Sequence, residues 1–341
     1  AYEIRTMDAL DYANPVLRDI YSKVYDFLVR FAKWLWKISF WFTDVKCFYF
    51  LSRPLMFISH RLTTSGFAKL LIKEQPDIII STHFLSSEIA AHLKKTGKIK
   101  ALLTTVITDY GVHSYWIHKN TDIYAVASLA TKQILVSKGA SQDCVHVTGL
   151  PVDDKFLARP NRELICGRLG LQKDKFTCLI MTGSFGIGPI EHIAEALHSN
   201  IQLLIVCARN NALYERLRKR NLDNVKIFGF VDFVYDLMAA SDIIITKPGG
   251  SSISEILAMR LVPVFISAIP GQEYENARIL NEYGIGISPR STEELKLIVL
   301  DYKSHPEKIS AVKADIKNIF IPHANSELCN VVCKSCVRTL N

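Results

Sequence analysis

The sequence predicts an α/β fold built from two doubly wound domains, each a parallel sheet covered by helices. Short apolar, β-branched runs alternate with helical patterns along most of the chain, which is typical of βα units. These runs carry few alternating polar residues, as expected for strands buried on both faces. With 341 residues and 49% hydrophobic content, the chain is long enough for two separate cores, and its composition argues against disorder.

In the first half, YEIRTMDAL at residues 2–10 is predicted to form a strand, and a helical region follows from about Asn14 to Lys73. The alternation then begins. The predicted strands are DIIIST, ALLTTVIT, DIYAVAS and VHVTG, with helices over 87–95 and 130–138. GLPVDDKF and the polar segment to about Arg168 are predicted to form a passage between the domains. We expect domains at 1–152 and 153–325, with a C-terminal helix at 326–341 that packs back on the first.

The second half repeats the alternation. Its predicted strands are TCLIMTG, IQLLIVCA, VKIFGF, DIIIT and LVPVFIS, and its predicted helices begin at Glu191 and Gly250 and cover 211–220, 233–240 and about 273–282. Parallel sheets bind ligands beyond the carboxyl ends of their strands, so the loops that follow these strands should share one crevice. Glycine or small polar residues recur in those loops, which are TGSFGIG, CARNN, GFVDF, KPGGSS and AIPGQEYEN.

The segment IIITKPGGSSISEILAM, residues 243–259, combines a buried strand, a tight glycine turn and a helix start. Adjacent glycines allow close approach of a ligand, and unpaired amides at a helix start favour an anion such as phosphate. Ser252 and Glu255 also have the spacing of a capping box, which needs no ligand. The residues alone leave both interpretations open, and the neighbouring glycine loops favour the anion site.

Net charge, +8 with a pI near 9.0, suits an anionic partner: nucleic acid, a phosphorylated substrate or an acidic membrane surface. No run approaches the roughly 20 apolar residues of a transmembrane helix. No signal peptide is visible, so the eight cysteines favour a reducing compartment over a disulfide framework. The C-terminal cluster of Cys329, Cys333 and Cys336 could in principle bind an iron–sulfur cluster, but its helical context favours no metal.

Aromatic and basic residues are interleaved over residues 30–73. FLVRFAKWLWKISFWF contains Trp34, Trp36 and Trp41, and the basic residues outnumber the single acid, Asp44. Such a segment can lie in a membrane interface, with its rings at headgroup depth and its cations toward anionic lipid. A packed helical hairpin beneath the first domain is the alternative. The basic residues are Arg30, Lys33, Lys37, Lys46, Arg53, Arg61, Lys69 and Lys73.

TKPGGSSISEILAMRLVPVFISAIPGQEYENARIL, with TDYGVHSYWIHKNTDIYAVAS and VTGLPVDDKF, resembles the diacylglycerol glycosyltransferases over almost the whole chain. These are the processive diacylglycerol glucosyltransferases and the monogalactosyldiacylglycerol synthases, related to the enzyme that adds N-acetylglucosamine to lipid I. The resemblance implies a GT-B fold of two facing Rossmann-like domains with a central cleft. The N-terminal domain would bind the lipid acceptor and the C-terminal domain the UDP-sugar.

The resemblance also implies roles for individual residues. Glu255 would accept hydrogen bonds from the ribose hydroxyls, and Val231 would present backbone groups to uracil while Phe230 packs. Gln272 and Glu273 would contact the sugar, with Asn276 one turn further on. The diphosphate would lie on the amides of Gly249, Gly250, Ser251 and Ser252, with Ser184 close by.

Transfer from a UDP-sugar needs charge stabilisation at the leaving diphosphate, which a helix amino end can supply. No Asp-x-Asp motif is visible in a donor loop, so we expect no metal and no cofactor beyond the donor. Lys247 is either an extra cation near the phosphates or a solvated turn residue.

The acceptor hydroxyl needs a base. Asp109 and His118 are the candidates, at the end of a buried strand, and His113 and Trp116 are expected beside the acceptor with Trp34, Trp36 and Trp41. The alternative is that the histidines are rim residues bonded to backbone.

The family normally begins with a strand and a G-x-G-H loop that contributes a histidine. We expect this strand and loop to be absent here, which leaves the activity of the chain open. The leading hypothesis is an inverting transfer of glucose or galactose to diacylglycerol, or to a monoglycosyl lipid, on the cytoplasmic membrane face. A soluble or isoprenoid-linked acceptor, or a nucleotide-sugar-binding protein without turnover, are the alternatives. A nucleic-acid partner is disfavoured because the basic residues accompany tryptophan in apolar helices.

Overall fold

The structure, a computed structural model, describes residues 3–15, 24, 32–44, 65–158 and 160–340. The chain divides into two compact units. The first contains residues 1–150, 269–272 and 325–341, and the second contains residues 151–268 and 273–324.

The first unit is a four-stranded parallel sheet with the order β1-β2-β3-β4. Every residue of the two central strands, β2 and β3, is buried, as expected for the middle of a parallel sheet, whereas Ile80 in the edge strand β1 is exposed. Its elements are α1 (Lys33–Asp44), α2 (Ser65–Glu74), β1 (Ile78–Ser81), α3 (Phe84–Lys95), β2 (Leu102–Val106), β3 (Ile123–Val126), α4 (Leu129–Ser137) and β4 (Val145–Val147).

The second unit is a five-stranded parallel sheet with the order β7-β6-β5-β8-β9. Its elements are α5 (Arg162–Leu169), β5 (Thr177–Met181), α6 (Ile190–Leu197), β6 (Gln202–Val206), α7 (Asn211–Lys219), β7 (Val225–Phe228), α8 (Val234–Ala239), β8 (Ile243–Thr246), α9 (Gly250–Met259), β9 (Val262–Phe265), α10 (Gln272–Glu282), α11 (Thr292–Ser304) and α12 (Pro306–Ile319). Helix α13 (Ala324–Leu340) then leads into the first unit.

The strand order of the second unit reverses between β5 and β8, which are neighbours in the sheet although three βα units separate them in the chain. Such a reversal is where doubly wound sheets open a ligand crevice at their carboxyl edge. The loops after β5 and β8 flank this switch point. The topology therefore puts the KPGG turn and the TGSFGIG loop at the favoured place for a ligand.

Two sequence predictions are wrong. Residues 3–8 are not a strand: Asp8 accepts a hydrogen bond from the Leu10 amide and starts a 3-10 helix at Ala9–Tyr12. The polar segment before Arg168 is not a passage, since α5 packs Ile165 and Cys166 into the core of the second unit. The other strands and helices predicted between residues 77 and 282 are confirmed. The helical region predicted from Asn14 to Lys73 falls largely outside the described residues, including Arg30, Lys46, Arg53 and Arg61.

The described cysteines, all except Cys47, are free thiols. No cluster of three or more His, Cys, Asp or Glu side chains suited to a metal ion occurs in the described part of the chain. Within the same residues, no helix combines the length and hydropathy needed to cross a bilayer.

Candidate donor and acceptor sites

The turn between β8 and α9 exposes the start of the helix. Gly249 has an extended backbone (φ −75°, ψ 140°) and is the N-cap, and no side chain caps this helix start among the described residues. The first-turn amides of Gly250, Ser251 and Ser252 therefore have no acceptor within the helix. A Cβ on Gly249 would meet no atom within 4 Å. This glycine leaves open space beside amide donors that can bind an anion.

The capping-box interpretation of Ser252 and Glu255 is wrong. The helix begins at Gly250, so Ser252 lies inside the first turn and Glu255 in the second. Glu255 is partly buried, and burial raises its pKa above the ordinary glutamate value. The nearby charge of Lys155 lowers this pKa and that of Asp153 raises it. A partly desolvated carboxylate near a helix start is suited to accepting hydrogen bonds from hydroxyl groups.

The first turns of α10 hold the KPGG turn in place. Lys247 Nζ lies 3.1 Å from Glu273 Oε1, and the two side chains are only 15% and 13% exposed. Asn276 is fully buried, and its Nδ2 donates to the Pro248 carbonyl at 3.1 Å. Lys247 is therefore a largely buried, ion-paired side chain and not a solvated turn residue. The turn is fixed by side chains before any ligand is present.

One backbone hydrogen bond and one side-chain hydrogen bond connect the loop after β5 to the loop after β6. The Arg209 amide donates to the Ser184 carbonyl at 3.2 Å, and Asn210 Nδ2 donates to the Gly186 carbonyl at 3.2 Å. The Ser184 side chain itself is exposed. This loop therefore presents a hydroxyl on a fixed backbone at the switch point.

The sequence missed two features of this edge. The sequence predicts a packing role for Phe230, but its ring is 71% exposed. The adjacent Val231 is the residue that packs partly against the core. Thr182, at the end of β5, has a buried hydroxyl without a hydrogen-bond partner in the described residues. An exposed aromatic ring is a stacking surface for a base, and an unsatisfied buried hydroxyl is costly unless something binds it. The sequence signal available for both Thr182 and Phe230 was their position just after the end of a strand.

In the first unit, Asp109 follows β2 and is 8% exposed. Gln272 Nε2 donates to its Oδ2 at 3.3 Å, which brings together two of the predicted site residues. His118 lies further along, in the turn that leads into β3, where its backbone exchanges hydrogen bonds with the Tyr124 hydroxyl. Asp109 is therefore at the carboxyl edge of the sheet, whereas His118 is on the segment that returns to the next strand.

Trp116 and His113 are buried. Trp116 is 6% exposed and packs with Ile107 and Tyr124 in the core. His113 Nδ1 accepts from the Tyr115 amide at 3.1 Å, and its Nε2 lies 3.2 Å from the Phe40 carbonyl. Burial lowers the pKa of His113, so the ring is neutral near pH 7 with its proton on Nε2. Both side chains support the loop after β2.

Helix α1 separates its large apolar residues into two faces. Trp34 and Trp41 are 68% and 64% exposed, and Trp36 is partly buried, with its Nε1 donating to the Pro270 carbonyl at 3.0 Å. The exposed set forms a stripe at helical spacing, which we call the outer face of α1: Trp34, Leu35, Ile38, Trp41 and Phe42.

Comparison with known proteins assigns each half of the chain to a family model. Residues 1–152 match the model for monogalactosyldiacylglycerol (MGDG) synthase, and residues 177–319 match the glycosyltransferase family 28 C-terminal domain. Two similar curated proteins are both named processive diacylglycerol beta-glucosyltransferase. The one from Bacillus pumilus is 29% identical over 322 residues, covering 93% of this chain and 82% of the relative. The one from Bacillus cereus strain B4264 is 31% identical over 269 residues, covering 77% and 69%.

Solved structures share the fold at low sequence identity. Acinetobacter baumannii MurG matches with a TM-score of 0.56 and 15% identity, covering 82% of this chain and 80% of that one. Anabaena Alr3699/HepE in complex with UDP-glucose matches with a TM-score of 0.55 and 14% identity, covering 79% and 82%. These neighbours are GT-B glycosyltransferases, and the predicted fold class, two doubly wound α/β units, is confirmed.

Proposed function

This chain belongs to the family of the diacylglycerol glycosyltransferases, and from that premise we propose that it moves glucose or galactose from a UDP-sugar to the hydroxyl of diacylglycerol or of a monoglycosyl lipid. The observation that carries the proposal is the uncapped start of α9 at the sheet's switch point, with open space at Gly249. A leaving diphosphate needs negative charge stabilised, and preorganised amides provide that stabilisation.

On the donor side, the amides of Gly250, Ser251 and Ser252 bind the diphosphate, with the Ser184 hydroxyl at its edge. Glu255 accepts hydrogen bonds from both ribose hydroxyls. The backbone of Val231 reads uracil, and the exposed ring of Phe230 stacks on it. Gln272 and Glu273 contact the sugar hydroxyls. Asn276 positions the turn from beneath, through Pro248. Because the amides stabilise the charge, we expect turnover to persist in the presence of a chelator.

On the acceptor side, we assign the general base to Asp109, with His118 as the second candidate. Asp109 takes the proton of the lipid hydroxyl as that oxygen forms a bond to the anomeric carbon, and the bond from that carbon to the phosphate oxygen breaks to release UDP. A single displacement of this kind inverts the anomeric configuration. Asp109 lies at the carboxyl edge of its sheet, and the hydrogen bond from Gln272 orients its carboxylate, which suits a positioned base.

The outer face of α1 is proposed to bind an anionic lipid surface at the cytoplasmic side of the membrane. A stripe of exposed tryptophan and aliphatic side chains can enter the interface, and the net charge of +8 attracts anionic headgroups. The acceptor lipid resides in such a surface, so docking there delivers the substrate.

The test is to incubate the full chain with labelled UDP-glucose or UDP-galactose and diacylglycerol in phosphatidylglycerol vesicles. We expect a labelled glycolipid from at least one donor, much less product from Glu255→Ala at a low donor concentration, and undiminished product with EDTA. UDP binding with no product on any lipid would instead identify a nucleotide-sugar-binding protein. Product only with a soluble or isoprenoid-linked acceptor would refute the diacylglycerol assignment.

A further inference from the structure

The side of α1 that carries Trp36 and Phe40, which we call its inner face, contacts the turn at Pro270 and Gly271. This turn precedes the residues proposed to contact the sugar. Trp36 Nε1 donates to the Pro270 carbonyl at 3.0 Å, and residues 269–272 belong to the same unit as α1. A Cβ on Gly271 would lie 2.7 Å from the Phe40 ring, and its φ of +102° also favours glycine. The aromatic pair of Trp36 and Phe40, with ring centroids 6.3 Å apart, therefore forms a platform beneath this turn.

The C-terminal end of α1 is fastened to the loop after β2. Asp44 Oδ1 accepts from the Ser114 amide and the Ser114 hydroxyl, both at 2.8 Å, and Lys138 Nζ contacts the same carboxylate at 2.6 Å. Burial raises the pKa of Asp44, but the hydrogen bonds from Lys138 and from the Ser114 amide outweigh that effect and hold the pKa below the ordinary aspartate value. His113 adds a hydrogen bond to the Phe40 carbonyl at 3.2 Å.

Helix α1 thus contacts two segments, the turn at Pro270 and the loop after β2, and one hydrogen bond joins these segments. The loop after β2 carries Asp109, the turn held by Trp36 ends at Gln272, and Gln272 Nε2 donates to Asp109 Oδ2 at 3.3 Å. The side chain we assign as the base and one we assign to the sugar are thus held together by a helix that contributes neither group.

We infer that α1 is a positioning element for the transfer reaction, with Trp36 the key positioning residue, and that contact of its outer face with lipid stabilises the arrangement. The inference rests on the proposed function. One helix presents Trp34 and Trp41 to solvent and Trp36 to the Pro270 turn, so a lipid surface that stabilises α1 also stabilises the turn. By linkage, an ordered turn in return strengthens binding to the lipid surface.

Two variants of α1 test the role of Trp36. Trp36→Phe keeps an aromatic ring but removes the donor to Pro270, and Ser39→Ala changes an exposed side chain of the same helix that belongs neither to the outer face nor to the contact with Pro270. For Trp36→Phe we expect kcat on diacylglycerol vesicles to fall about fivefold to tenfold, as for a lost hydrogen bond to a positioned group, with the Kd for UDP unchanged. Vesicle binding should weaken slightly, because the linkage between the turn and the lipid surface is reciprocal. Ser39→Ala should leave all three values unchanged.

Hydrogen exchange at residues 269–272, measured without substrate, keeps this test independent of turnover. Trp36→Phe should speed exchange there, and phosphatidylglycerol vesicles should slow it in the wild-type chain but not in Trp34→Ser/Trp41→Ser. Unchanged exchange in Trp36→Phe, or vesicles that bind without slowing exchange, would overturn the inference. A wild-type chain with no transferase activity that still shows these exchange changes would refute the proposed function while supporting the role of α1 in ordering the turn.

Discussion

The carboxyl edges of the two sheets are built in different ways. In the second unit, the anion cradle that we propose consists of backbone amides at the start of α9, next to a turn fixed by a buried ion pair and a buried amide from α10. In the first unit, the corresponding edge is held by side chains that arrive from far along the chain: Asp44 bonds Ser114 across 70 residues, and Gln272 bonds Asp109 across 163. The donor edge is a local motif, and the acceptor edge is a product of tertiary structure.

The difference indicates which edge tolerates change. A cradle of amides is a property of a turn and survives most side-chain substitutions nearby, provided the turn keeps its shape. An edge assembled from side chains depends on each of them. Donor binding and lipid transfer should therefore respond to separate sets of substitutions, which the predictions below test.

The largest expected effect is on stability. Lys247→Met removes the cation that compensates the mostly buried Glu273 carboxylate and should lower the free energy of unfolding by about 3 kcal/mol. Urea unfolding measures it. The double variant Lys247→Met/Glu273→Gln should recover most of that loss. Equal losses in the single and double variants would show that the ion pair does not fix the turn.

Donor binding should respond next. Glu255→Ala removes the carboxylate that we propose accepts two ribose hydrogen bonds, and it should weaken UDP binding by about 2 kcal/mol, roughly thirtyfold, in calorimetry. Vesicle binding should not change, because α1 lies in the other unit. A variant with wild-type affinity for UDP would remove Glu255 from the ribose site.

Gly249→Ala tests the cradle directly. A methyl group there meets no protein atom within 4 Å, and φ at this position suits alanine, so the melting temperature should be unchanged. The methyl group would occupy the space assigned to the diphosphate, and UDP affinity should fall about tenfold, the loss of one amide contact to an anion. Melting curves check the stability of the variant, and titrations with UDP check its affinity. Wild-type affinity for UDP in Gly249→Ala would place the diphosphate elsewhere.

The smallest effect is a pH dependence. Burial raises the pKa of Glu255, so its carboxylate is protonated, and UDP binding weakens, at a higher pH than for an ordinary glutamate. The same raised pKa means that the ionised form costs folding stability above it, and Glu255→Gln should be slightly more stable at pH 7. Titrations with a UDP-sugar, which has no terminal phosphate to titrate in this range, should show a decline in affinity between pH 8 and 5 for the wild type and a flat profile for Glu255→Gln.

Sequence patterns predicted the fold well where the signal is local. The β8 run IIIT and the fully buried β2 run LLTTV announce strands because no solvent-facing residues interrupt them. Residues 3–8 were wrongly predicted to form a strand because their apolar and polar residues alternate as in a strand. In the structure, Asp8 caps the 3-10 helix that follows them. The pattern could not fix the helix start to one residue, so it left the capping-box alternative for Ser252 open until the structure gave Gly249 as the N-cap.

The acceptor edge could be predicted only as a set of residue types. Asp109 was found because it ends a strand, but its bond to Gln272 depends on chain segments that meet only in the folded unit. The role of Trp36 was likewise hidden, because three tryptophans in one helix look alike until their exposure is known: Trp34 and Trp41 are more than 60% exposed, and Trp36 is partly buried.

The outer and inner faces of α1 place different constraints on how the sequence of such a protein can diverge. Positions on the outer face need only large apolar side chains. Many small replacements there could therefore adjust the affinity for a new lipid composition. Positions that face inward, with Gly271 fitted against Phe40, allow almost no drift. Adaptation to a different bilayer and retention of the inner contacts would therefore draw on different positions within the same twelve consecutive residues.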